Sequence, residues 1–154
     1  PGKTVEYEFV AEYLWEVFKV NDIRKIAFDR WNFQHLKPWL AKVGFTEAQL
    51  DGDDAVFVNF GQGFGSISPA LRTLESNLLN ERVAHGGHPV LNMCMTNAVV
   101  TQNGAGDRKL EKNKARGKID GAVALTMATG VAGSYIAPEH QDLDDFINNM
   151  VVLV

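Results

Sequence analysis

Segments with a helical repeat of apolar residues alternate along this chain with short runs of strand-forming residues, and this order limits the fold more than any other feature. Gly44 follows the second helical segment, at the position where a residue in the left-handed conformation often ends a helix. The alternation is typical of an α/β architecture with a partly parallel sheet. In the first part of the chain, it predicts helices over Glu6 to Lys19 and about Phe33 to Val43, and strands over Ile23 to Asp29 and Ala55 to Phe60.

The second part of the chain continues the alternation with a helix, a hairpin and a last helix. Ser68 and Pro69 predict a helix start, because serine is a common cap and proline is tolerated in the first turn. A turn over Asn103 to Gly106 predicts that the chain returns as the second arm of a hairpin. The predicted elements are a helix from Ser68 to Gly86-Gly87, a strand from Ala98 to Gln102, and a helix rich in small residues from Lys118 to Tyr135.

The composition predicts one globular domain over residues 1–154. A length of 154 residues is close to the commonest domain size, and 45% hydrophobic residues are enough for a core. Residues 139–154 form an acidic tail, which we expect either to be loosely attached or to fold back through its apolar residues. Apolar runs fall far short of the roughly 20 residues that span a membrane, and the single cysteine, Cys94, favours a reducing compartment. We therefore expect a cytosolic protein without a membrane partner.

Positive charge is concentrated in one short segment, although the net charge of the chain is −4. The basic segment reads RKLEKNKARGK from Arg108 to Lys118, and no lysine or arginine follows it. A run of this kind is often only a solvated surface. Because it leads from the predicted hairpin directly towards Asp120, a role in guiding DNA is about equally probable. The predicted DNA contacts are Lys109, Lys112, Lys114 and Arg116.

Two carboxylates stand at positions where active sites are often found. Asp29 ends a predicted strand, and ligands gather at the carboxyl ends of strands in open α/β sheets. Asp120 lies in the first turn of a predicted helix, where the helix dipole favours negative charge. By position alone, a strand-end turn residue and an ordinary helix-start acid are the more probable interpretations.

Other residues invite functional interpretations that the pattern does not favour. Gly61, Gly63 and Gly65 follow a strand, but Ser66 occupies the place of the third glycine of a dinucleotide-binding loop, so a tight turn is predicted instead. The three tryptophans, Trp15, Trp31 and Trp39, are predicted to be core or half-buried packing residues and not platforms for bases.

Four sequence segments together resemble the nuclease domain of the large terminase subunits of tailed bacteriophages. The resemblance covers most of residues 23–131, in consistent order and spacing, and this combination is specific although each segment alone is weak. The segments are IAFDRW from Ile26 to Trp31, FGQGFGSISP from Phe60 to Pro69, HGGHPVLNM from His85 to Met93 with Asn97 shortly after, and KIDGAVALTMA from Lys118 to Ala128.

This resemblance implies a fold, an activity and a site. The implied fold is ribonuclease H-like, an α/β fold in which a mixed sheet is flanked by helices, and the implied activity is cleavage of concatemeric viral DNA with divalent metals. Two of the family's metal-binding acids fall on Asp29 and Asp120. Two metals about 4 Å apart can activate a water and stabilise the leaving oxygen. Mg²⁺ and Mn²⁺ are the expected cofactors, because both prefer carboxylate oxygens.

The sequence departs from the family pattern at its amino terminus. The family's first catalytic aspartate lies on an opening strand, for which no counterpart precedes the helix at Glu6, and no phosphate-binding loop of an ATPase is found. We therefore expect an N-terminally truncated, partial nuclease domain that is inactive alone and self-associates through its uncovered surfaces.

The expected partners and the rival functions follow from the same resemblance. Double-stranded DNA, the phage portal and the small terminase subunit are the expected partners, in the cytoplasm of a bacterial host. The main rival is a noncatalytic module that docks DNA or portal protein and retains the acids as relics. A nucleotide-binding α/β domain is a weaker rival, since it depends on the glycines alone.

Overall fold

A computed structural model describes residues 4–52 and 55–134 of the chain. The acidic tail at 139–154 and the predicted helix end at Tyr135 lie outside the described residues. No helix within the described residues is long and apolar enough to cross a membrane.

The first half of the described chain carries three helices and two strands. The prediction of the first two helices is confirmed, including the end of the second at Gly44, which has a φ of 129°. A Cβ at Gly44 would lie 2.7 Å from the Trp15 ring, so this position is restricted to glycine by both conformation and space. The elements are α1 (Tyr7–Val20), β1 (Ile26–Phe28), α2 (Phe33–Val43), α3 (Glu47–Leu50) and β2 (Phe57–Asn59).

The second half carries three helices, a hairpin and a short 3₁₀ helix. The hairpin is confirmed, and its turn is held by the Asn103 side chain, whose Oδ1 accepts hydrogen bonds from the backbone N–H groups of Ala105 and Asp107. The elements are α4 (Phe64–Leu79), α5 (Pro89–Asn97), β3 (Val100–Gln102), β4 (Arg108–Leu110), the 3₁₀ helix Lys112–Lys114 and α6 (Asp120–Ser134).

The strands of the described residues form two separate sheets, so the prediction of one mixed sheet is not met there. β1 and β2 are parallel, with Phe28 opposite Asn59, and this confirms the partly parallel arrangement. β3 and β4 are antiparallel and form the second sheet. The hairpin packs on α4, where the Arg108 backbone N–H donates to Ser68 Oγ at 3.1 Å. The Ser68 side chain thus satisfies a backbone N–H group of β4 that could otherwise have paired with another strand.

Two apolar cores lie on opposite faces of the β1–β2 sheet. Ile26 and Phe28 pack against the first core, while Ala27, between them, packs against the second. This alternation follows from the strand geometry, which directs successive side chains to opposite faces. The first core is centred on Ala11, Phe33, Leu40, Phe45, Leu50 and Phe57, and the second on Ile67, Leu71, Ile119, Val123 and Met127.

The strands are shorter than predicted, the bounds predicted for α4 were wrong, and two helices, α3 and α5, were missed. α4 begins at Phe64 and not at Ser68, so Pro69 lies inside it, and it ends at Leu79, before the predicted Gly86-Gly87. The left-handed residue after it is Glu81, with a φ of 56°, so no glycine marks its end. α5 was not predicted, although His88 caps it by accepting a hydrogen bond from the Val90 backbone N–H.

Candidate functional site

Asp29 lies directly after the last residue of β1, as the sequence predicted. Its carboxylate is partly exposed and accepts two hydrogen bonds within the chain. Oδ1 accepts from the Trp31 backbone N–H at 3.2 Å, and Oδ2 accepts from Gln62 Nε2 at 2.7 Å. Both donors are neutral groups, so neither competes with a cation for the carboxylate.

Trp31 itself is exposed, which contradicts its predicted packing role. The residue is 74% exposed, and the Arg30 guanidinium carbon lies 5.7 Å from the centre of its ring. Trp15 and Trp39 pack against the first core as predicted.

Gln62 is a site residue that the sequence analysis missed. It lies in the glycine-rich turn, residues 60–63, which connects β2 to α4. β2 is the parallel neighbour of β1, so the segments that follow the two strands emerge side by side. The signal that could have found Gln62 is an amide side chain in the short turn after β2, the strand that pairs with the strand preceding Asp29.

Asp120 is the first residue of α6, and its position is fixed by the segments before and beside it. Asn97 Nδ2, at the end of α5, donates to the Lys118 carbonyl at 3.3 Å. A Cβ at Gly117 would lie 2.6 Å from that amide nitrogen, so the chain approaches α5 too closely there for a larger residue. The Asp120 side chain is 66% exposed and pairs with Lys112, whose Nζ lies 3.1 Å from Oδ1.

The four predicted DNA contacts occupy three different settings. Lys109 lies on β4, where its Nζ is 3.5 Å from Glu111 Oε2 and 5.1 Å from the centre of the Phe64 ring. Lys112 pairs with Asp120 as described, and it opens the 3₁₀ helix that Lys114 ends. Lys114 and Arg116 have exposed side chains.

A path of contacts connects the surroundings of the two carboxylates. Gln62 of the glycine-rich turn hydrogen-bonds to Asp29, and Phe64, which follows the turn as the first residue of α4, contacts Lys109 of the basic segment. Three residues after Lys109, the same basic segment pairs with Asp120. β1 also packs directly against α6. These contacts therefore link Asp29, the basic segment and Asp120 through neighbouring surfaces.

The donor set suits a hard divalent cation but supplies few ligands. Asp29 and Asp120 offer carboxylate oxygens, which Mg²⁺ and Mn²⁺ prefer. Among residues 4–52 and 55–134, no three histidine, cysteine, aspartate or glutamate side chains are grouped so that they could hold a metal ion. The type of ligand fits the expected metals, and additional oxygen ligands would be needed to hold two ions.

An ion pair docks the hairpin on α4. Arg108 Nη2 lies 2.7 Å from Glu75 Oε2. The hydrogen bond from Arg108, reinforced by its charge, lowers the pKa of Glu75 from its ordinary value of 4.5. The pair helps to define where the basic segment leaves α4.

The α/β fold and these motifs place the chain in a known class. The family model for the terminase large subunit, endonuclease domain, matches residues 4–134. The chain belongs to this family, and the resemblance inferred from its sequence is confirmed.

Relatives and a solved structure agree with this assignment. The chain is 45% identical over 147 residues to the terminase large subunit of Enterobacteria phage HK97, covering 96% of this chain and 28% of that protein. It is 31% identical over 112 residues to the terminase large subunit of Lactococcus phage SK1, covering 73% of this chain and 19% of that protein. The crystal structure of the HK97 bacteriophage large terminase superimposes with a TM-score of 0.74 at 45% identity, covering 85% of this chain and 26% of that one. The chain thus spans between about a fifth and a little over a quarter of these proteins.

Proposed function

We propose that this chain is the metal-dependent endonuclease domain of a phage DNA-packaging terminase, and that it cuts concatemeric viral DNA by two-metal phosphodiester hydrolysis. Membership of the endonuclease-domain family over residues 4–134 carries the proposal. The contacts that run from Asp29 through the glycine-rich turn to the basic segment and Asp120 support it, since a nuclease needs carboxylates beside a cationic surface. A ribonuclease H-like fold is part of the proposal.

Each group has a distinct role in this reaction. Asp29 and Asp120 are the metal ligands, and bound Mg²⁺ or Mn²⁺ would supply an activated water and charge stabilisation at the leaving oxygen. Lys109, Lys112, Lys114 and Arg116 bind backbone phosphates, because cations there neutralise phosphate charge and release counterions. Lys112 now pairs with Asp120, and if Asp120 held a metal, this lysine would be available to a phosphate.

The surroundings of the reaction belong to the proposal as well. The partners are double-stranded DNA, the phage portal and the small terminase subunit, and the location is the cytoplasm of the bacterial host. The alternative is a noncatalytic module that docks DNA or portal protein. It is favoured by one observation, that two acids of the described residues do not by themselves make a two-metal site.

The deciding experiment is DNA cleavage by a protein extended at the amino terminus to include the rest of a relative's endonuclease region. Cleavage should require Mn²⁺ or Mg²⁺. Asp29→Asn and Asp120→Asn should each lower the rate by more than about 100-fold, because loss of a residue that only supports a metal ligand already costs up to about 100-fold. Asp22→Asn is the matched control, because Asp22 is an exposed aspartate paired with Arg24.

Two results would overturn the proposal in different ways. Full cleavage by both Asn variants would remove the assigned ligands. Metal-independent DNA binding without cleavage would establish the docking module. The chain of residues 1–154 alone should cut little or not at all, so robust cleavage by it that Asp120→Ala abolishes would show instead that its site is already complete.

A further inference from the structure

The glycine-rich turn brings one polar side chain to Asp29 from 33 residues away along the chain. Gln62 Nε2 donates to Asp29 Oδ2 at 2.7 Å, which is short for a neutral donor. The sequence did not favour dinucleotide binding by this turn, and it assigned the turn no other function. Its contact with Asp29 suggests one.

The backbone explains why Gln62 reaches Asp29. The Phe60 backbone N–H donates to the Phe28 carbonyl at 2.8 Å, so the chain after β2 leaves the sheet beside the chain after β1. The turn then folds back tightly, since a Cβ at Gly61 would lie 2.9 Å from Ser66 Oγ. Gly63 ends the turn as the residue that precedes α4. The glycines thus close a short turn that presents Gln62 to the end of the neighbouring strand.

The hydrogen bonds on Asp29 leave it able to bind a cation in a fixed orientation. Each carboxylate oxygen has two lone-pair sites and uses one, for Trp31 N–H and for Gln62. One site on each oxygen remains for a metal. The two donors come from different chain segments, so together they restrict rotation of the carboxylate. Partners of this kind typically contribute about 10- to 100-fold to metal affinity or activity.

We propose that Gln62 is a positioning residue that orients the Asp29 carboxylate for the metal. The inference depends on the proposed function only in requiring that Asp29 bind the ion. Gln62 touches neither substrate nor metal in this role and acts through Asp29.

The test is Mn²⁺ titration of the 154-residue chain, followed by paramagnetic broadening of backbone amide signals near Asp29. Gln62→Met keeps the length of the side chain and removes its donor, and it should raise the Mn²⁺ concentration for half-broadening by about tenfold. Gln62→Asn keeps an amide on a shorter arm and should recover part of the loss. Gln34→Met, at an exposed glutamine on α2, is the matched control and should change nothing.

The outcomes separate this inference from the proposed function. If Asp29→Asn reduces Mn²⁺ binding but Gln62→Met binds like the unsubstituted chain, the positioning role is wrong and the metal site stands. If Mn²⁺ causes no broadening near Asp29, or if Asp29→Asn leaves the broadening unchanged, the positioning role is wrong for this chain, and the cleavage experiment with the extended protein decides the proposed function separately. Gln62 is exposed, so thermal unfolding of Gln62→Met should match that of the unsubstituted chain, and a large loss of stability would assign Gln62 to folding instead.

Discussion

Gly130 of α6 is the position where one added methyl group should cost most. A Cβ there would lie 2.6 Å from two ring carbons of Phe60 and 2.9 Å from Ala70 Cβ. Favourable carbon contacts lie near 3.5–4.0 Å. The Phe60 ring can turn aside, but Ala70 is 3% exposed and fixed to the backbone of α4, so the two helices must separate.

The expected magnitude follows from two opposing terms. Overpacking costs about 1–3 kcal/mol, and replacing glycine by alanine inside a helix gains about 0.5–1 kcal/mol. Gly130→Ala should therefore lower the free energy of unfolding by up to about 2.5 kcal/mol, with a central value of about 1 kcal/mol. Gly133→Ala, on the same helix, meets nothing within 4 Å. It should leave stability unchanged or raise it by up to about 1 kcal/mol, less any loss from fraying near the helix end.

Urea unfolding and thermal unfolding, both followed by circular dichroism, would compare the two variants with the unsubstituted chain. Their melting temperatures should differ by several degrees, since about 1 kcal/mol corresponds to roughly 2–4 °C for a chain of this size. Adding Phe60→Leu to Gly130→Ala should recover part of the loss, because the two sites share one contact. If Gly130→Ala is as stable as Gly133→Ala, α6 does not approach Phe60 and α4 as closely as described.

Three further predictions concern charge and association. Lys112→Gln removes the cation that competes for Asp120. Because an exposed pair is worth about 0.2–1 kcal/mol, the Mn²⁺ affinity should rise by about 1.4- to 5-fold, while the DNA affinity should fall. A loss of Mn²⁺ affinity would contradict this. The Glu75–Arg108 pair lowers the pKa of Glu75 below 4.5, so the stability contributed by the pair is present above that pH and is lost as the pH falls through the lowered value. The Glu75→Gln variant should be less stable at pH 7 and should lose this part of the dependence of stability on acid. Unfolding measured over a range of pH would test both expectations. The chain should self-associate through α1, on which Phe9 is 65% exposed, and a monomer in sedimentation at high concentration would exclude this.

The helices and strands that could be predicted are those whose signals are local. α1 and α2 show their apolar repeats directly, and Gly44 marks an end that only glycine satisfies. The hairpin could be predicted because its turn is held by Asn103, a residue within the turn. In each case the side chains that decide the structure lie within a few residues of the element.

The errors fall where a distant partner decides the structure. Serine is a common helix cap, but Ser68 is buried within α4. Its hydroxyl there accepts a hydrogen bond from the backbone N–H of Arg108, 40 residues away. The end of α4 depends on Glu81 in a left-handed conformation, which is uncommon for a residue other than glycine. Gln62 was missed because its partner lies across the parallel strand pair. For the site, sequence resemblance indicated Asp29 and Asp120, while their hydrogen-bonding partners required the fold.

The packing of α6 gives Asp120 and its partner Lys112 different timescales of motion. α6 packs against α4, α5 and β1, and its buried residues include Ala122, Val123 and Met127. Their amides should exchange with solvent only in the rare openings that approach global unfolding. Lys112 is an exposed side chain, and such side chains change rotamer within picoseconds to nanoseconds. Under the proposed function, Asp120 would therefore keep its position through many DNA encounters, whereas the Lys112 ammonium would adjust to each phosphate.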